Sequence, residues 1–123
     1  MKNNPVRWFE IYVQEMERAK CFYESVFHVE LQKIDGTELD MWGFPSDMDH
    51  YGVSGTLVKM DGVCPGGNST LVYFACDDCA VEAGRIEAAG GQIHRSKTSI
   101  GQYGFIALVI DTEGNLIGLH SMQ

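Results

Sequence analysis

Two stretches of this chain follow one plan. Residues 6–31, VRWFEIYVQEMERAKCFYESVFHVEL, and residues 70–93, TLVYFACDDCAVEAGRIEAAGGQI, lie about sixty residues apart. Each sets a short alternating strand, a polar turn and a helix with an apolar face ahead of a further strand. A unit of this size has too little interior to be stable alone, so the two copies are expected to share a core. Functional groups then belong on strand positions facing away from the helices, where both copies contribute to one concave surface.

The chain has 123 residues, which fits one ordinary domain. It is 45% hydrophobic and 21% charged, and no apolar run approaches the roughly 18 residues of a membrane span. A formal net charge of −8 argues against nucleic acid, because phosphate-backbone binders work through clustered Lys and Arg. The start, MKNNPVRW, lacks the apolar stretch of a secretory signal, so the cytoplasm is the expected compartment. Cys21, Cys64, Cys76 and Cys79 are read as reduced thiols, since a domain this long does not need disulfides to hold a core.

Val6 to Val13 alternates with period two, setting Phe9, Ile11 and Val13 on one face and Trp8, Glu10 and Tyr12 on the other. Met16 to Phe27 has helical spacing, with Ala19, Phe22, Tyr23, Val26 and Phe27 in its apolar stripe. Val29 to Ile34 and Leu39 to Phe44 read as strands around the turn pair Asp35-Gly36, and Gly52 to Met60 as a further strand. Pro65, Gly66 and Gly67 mark a linker over about 61–69, between modules of about 5–61 and 69–122. The second module opens with Thr70 to Ala75. A helix capped by Asp77 or Asp78 is expected to run to about Ala89 and to end at Gly90-Gly91. Gln92 to Thr98, Phe105 to Ile110 and Leu116 to Ser121 complete it as strands. The class is therefore α+β, two βαβββ modules with helices outside curved sheets.

With MERAKCFYESVF after the opening strand, AAGG at a helix end and the closing GFIALVIDTEGNLIGLH, the chain resembles the vicinal oxygen chelate superfamily of glyoxalase I, bleomycin resistance proteins and extradiol dioxygenases. In enzymes of that superfamily, His and Glu on cavity-facing strands hold a divalent metal that polarises substrate oxygens. The resemblance sets the first His position on Trp8, the second on Thr70 and the last Glu on Gly118, and Gly52 to Met60 offers no His, Asp or Glu. Trp and Gly have no suitable lone pair and Thr alone is a poor ligand, so no metal and no other cofactor is expected. The resemblance also implies a homodimer whose chains complete each other's cavities, with Trp8, Met41, Trp42 and Met48 as interface anchors if exposed.

By strand parity, Glu10 shares the face of the lost first ligand and His120 that of the lost last one. If the two meet, the carboxylate fixes the imidazole and makes it a general base without metal. Trp8, Tyr12, Thr70, Phe74, Tyr103 and Phe105 are the candidate ligand-binding residues. The plainer readings are a solvated Glu10, a free C-terminal His120 and a Trp8 at a subunit contact. Cys76-Asp77-Asp78-Cys79 has redox or zinc spacing, but no second ligand pair accompanies it and two Asp disfavour a thiolate. His50, with Asp47, Asp49 and Tyr51, belongs to a loop able to fold over a cavity mouth, whereas Asp111 to Asn115 reads as a structural turn.

The leading expectation is a protein that binds a small, partly apolar organic molecule without metal at the usual positions. The alternatives are a metal-independent lyase or isomerase using Glu10 and His120, or a metal enzyme with ligands from Glu10, His120 and the His50 loop.

Overall fold

The computed structural model describes residue 4 and residues 6–123. The first module runs β1 (Phe9–Tyr12), α1 (Met16–Phe27), β2 (Gln32–Lys33), β3 (Asp40–Gly43) and β4 (Gly55–Lys59). The second runs β5 (Tyr73–Ala75), α2 (Cys79–Ala83), β6 (Gln92–Ser99), β7 (Phe105–Ile110) and β8 (Leu116–Ser121), with a 3₁₀ turn at Gly101–Tyr103. Among the described residues these make two four-stranded mixed sheets, β1-β4-β3-β2 and β5-β8-β7-β6. In each, the first strand pairs parallel to the last, and the remaining pairs are antiparallel. This is the α+β, twice-βαβββ architecture expected from the repeat.

The apolar stripe of α1 delivers Met16, Ala19, Phe22, Tyr23 and Val26 into the shared core, all buried. Rings from both modules meet there. Phe74 of β5 lies 4.6 Å centroid to centroid from Phe27, and edge-on to Phe9 at 5.8 Å. Burying each such ring is worth on the order of 2–3 kcal/mol, so this cluster ties the two modules into one core.

The second helix is shorter than its pattern predicts. Asp78 caps it by accepting from the Ala80 amide at 3.0 Å, but regular α geometry stops at Ala83. Beyond Gly84, a poor helix former, the backbone tightens to three-residue turns such as Arg85 N to Glu82 O, which keep Ile86 wholly buried. Gly90, at φ 97°, then reverses the chain into β6.

The turn between β7 and β8 joins the modules. Glu113 reaches the start of α1, where its carboxylate accepts from the amides of Gln14 (2.9 Å) and Glu15 (2.8 Å) and from Arg18 Nε (2.7 Å). Glu15, at the N-cap, makes no capping hydrogen bond with its own side chain, so the other module supplies the acceptor. Asp111 accepts from Tyr23 Oη at 2.6 Å and from the Glu113 and Asn115 amides, while Asn115 donates to the Tyr12 carbonyl at 2.9 Å. Burial by itself would raise the Glu113 pKa, but Arg18 and the two amides outweigh it and hold the group at about 2.

Candidate functional site

Strand register fixes which side chains face away from the helices. In the first sheet Ile11 pairs with core residue Leu57, and in the second Phe74 pairs with core residue Leu119. Counting three residues back from each core position, the counterpart of Trp8 is Leu71 and not Thr70. The expectation for β5 was one residue out of step, and a slip of one reverses every side chain. Phe74 therefore lies in the aromatic core instead of a cavity wall. Phe105 is corrected likewise: it packs against the core on the face of buried Ala107 and Val109, with Lys97 Nζ 4.7 Å from its ring centroid. Tyr73, on the opposite face of β5, is 47% exposed and lies across Gly118.

Two clefts flank β1. The larger, about 670 Å³, lies between Trp8 and the β3–β4 loop, where Arg7, Met48, His50, Tyr51 and Val53 line it. His50 Nδ1 lies 2.6 Å from Asp47 Oδ2, and both side chains are more than half exposed. Trp8 is thus separated from the hollow expected to hold Glu10. The smaller cleft, about 400 Å³, opens where the linker crosses both modules: Glu10 and Tyr12 line it from β1, Cys64 to Thr70 from the linker, and Val72, Asn115, Leu116 and Ile117 from the second module. Three expected site residues, Glu10, Tyr12 and Thr70, come together here.

Tyr12 Oη donates to Glu10 Oε1 at 2.6 Å, and that hydrogen bond raises the phenol pKa. His120 is elsewhere, in the central strand of the second sheet. Its Nε2 lies 2.7 Å from the Tyr103 carbonyl oxygen, which can only accept, so Nε2 carries the hydrogen. Tyr103 acts through this backbone oxygen, and its ring is 66% exposed. Within one chain Glu10 and His120 therefore have separate partners, and the carboxylate–imidazole pair expected from parity is not formed. Cys76 and Cys79 are free thiols; burial first and the neighbouring Glu82 second push Cys76 up to about 12, which keeps it protonated.

The divalent metal implied by the resemblance does not fit these residues. Trp8 and Leu71 have no donor atom for it, and a Cβ built at Gly118 would collide with the Tyr73 ring. On β4 the side chain beside Glu10 is Thr56, a buried hydroxyl without a hydrogen-bond partner among the described residues, and one neutral oxygen is a poor site for a divalent ion. Among the described residues no three His, Cys, Asp or Glu side chains are grouped to hold an ion.

The family model for the Glyoxalase/Bleomycin resistance protein/Dioxygenase superfamily matches residues 6–119. Comparison with curated protein sequences finds no match. Among solved structures, a hypothetical protein from S. aureus superposes with a TM-score of 0.74 at 15% identity, covering 97% of this chain and 95% of that one. A glyoxalase I variant from Zea mays gives 0.75 at 22% identity over 96% of this chain, which spans only 46% of that protein. TnmS3, an antibiotic binding protein from Streptomyces sp. CB03234, gives 0.70 at 24% identity over 98% of both chains. At these identities the likeness is one of fold. No helix among the described residues is long and apolar enough to cross a membrane.

Proposed function

Since the chain belongs to the Glyoxalase/Bleomycin resistance protein/Dioxygenase superfamily, we propose that it binds a small, partly apolar organic molecule without the superfamily's metal ion, in the cleft between its modules. The observation that carries this reading is the convergence of Glu10, Tyr12 and Thr70 with the apolar Val72, Leu116 and Ile117 around one cleft. A concave site with a few polar groups on apolar walls is the usual form of a small-molecule pocket. Binding alone then suffices for function, as in sequestration. The Streptomyces protein of this fold is named for binding an antibiotic. The protein works in the cytoplasm in this reading, as a homodimer: a second copy covers the sheet faces turned away from the helices, where Tyr73 and Trp8 stand about half exposed.

Metal content and binding are measured together. Purified protein is expected to hold well under one equivalent of transition metal by elemental analysis, to keep its ligand affinity in chelator, and to sediment as a dimer. A stoichiometric metal whose removal abolishes binding would overturn the reading.

A further inference from the structure

We infer that the inter-module cleft selects organic cations bearing an ammonium group, with Glu10 as the ion-pairing residue. This rests on the binding reading above and names the chemical class of its ligand.

Among the described residues lining the cleft, Glu10 is the sole charged side chain, and none of them is Lys, Arg or His. A ligand carboxylate or phosphate entering there meets a like charge with no cation to offset it. The whole chain, at −8, adds to that repulsion and draws cations inward. The carboxylate is also oriented: Tyr12 holds Oε1 at 2.6 Å, which leaves Oε2 as an acceptor.

An ammonium group brings three donors and requires three acceptors. Oε2 supplies one, and the hydroxyls of Ser69 and Thr70 lie on the exposed wall of the same cleft. The neighbouring amides are already engaged, Asn68 with the Leu116 carbonyl and Asn115 with the Tyr12 carbonyl and the Gly66 amide. Val72 and Leu116, both half-buried, form the cleft's apolar side, suited to a hydrocarbon or aromatic body attached to the amine. Because Glu10 is exposed, the charge preference is screened by salt.

The test is an NMR titration of the full chain at low salt with benzylamine, benzyl alcohol and benzoate. Benzylamine is expected to bind roughly tenfold tighter than benzyl alcohol, the size of one charge-assisted hydrogen bond, with benzoate weakest. Its shifts should fall on the amides of Tyr12 and of residues 66–70, and its advantage should shrink as salt rises. Glu10→Gln should erase the amine's advantage over the alcohol. An alcohol or benzoate that binds as tightly as the amine, or an amine preference that survives Glu10→Gln, overturns the cation assignment and leaves the binding reading standing. If none of the three probes perturbs the cleft amides, both fall.

Discussion

At the module junction the carboxylate of Glu113 accepts four hydrogen bonds, from the Gln14 and Glu15 amides and two Arg18 nitrogens, and its side chain has no exposed surface. In the cleft beside it, Glu10 accepts one side-chain hydrogen bond, from Tyr12, and stands in solvent. Asn115 touches both places, bridging Asp111 and the Tyr12 carbonyl while lining the cleft wall. The two acids show how polar residues divide labour in a small fold. A carboxylate whose lone pairs are all occupied holds the structure, and losing it leaves buried donors unmet. A carboxylate with a vacant oxygen contributes little to stability and is available to a ligand.

The largest effect should come from Glu113→Ala. It strands the first amides of α1 and removes the partner of Arg18, and its expected cost is about 3 kcal/mol, a fall of roughly 10 °C in Tm by calorimetry. A variant melting within 2 °C of the parent would erase the contrast between the acids. Acid should reproduce part of that loss. The Glu113 pKa is depressed from 4.5 to about 2, so its contribution is complete above pH 4.5 and disappears as pH falls toward 2. About 2 kcal/mol should be gone by pH 3, and Glu113→Gln, which has no proton to gain, should flatten that part of the urea-denaturation profile. An unchanged acid slope in the Gln variant would assign the acid sensitivity to other groups. The smallest effect is expected for Tyr12→Phe, which removes the donor to Glu10 on the exposed side and should move stability by no more than about 0.5 kcal/mol. A loss near 2 kcal/mol would place Tyr12 with the junction instead of the cleft.

Elements with a strong period were legible in the sequence. The range of α1, with five buried residues on one stripe, coincides with its expected limits, and so do those of β7 and β8, which are bounded by Gly104 and by the turn at Asp111 to Asn115. β1 and β5 are shorter than expected because pairing to β4 and β8 ends before the alternation does. What alternation cannot supply is absolute phase. In LVYFAC every position is apolar or aromatic, so nothing local says whether Phe74 or Tyr73 faces the helices; the ring of Phe27 on α1 decides it. The helix-like pattern past Gly84 was misleading for a related reason, since three-residue turns also keep Ile86 inward. The cleft was only partly readable. Glu10 and Tyr12 followed from parity, but the contribution of Cys64 to Ser69 depends on where the linker is pinned, by Gly66 to Asn115 and by Asn68 to Leu116.

The acceptor that Glu113 provides to the beginning of α1 also sets an order on biosynthesis. On the ribosome, the start of the opening helix emerges 98 residues before the side chain that finishes it, so its first turn lacks that acceptor until the closing hairpin is made. Synthesis of the closing hairpin is therefore the step at which the two modules become a single cooperative unit.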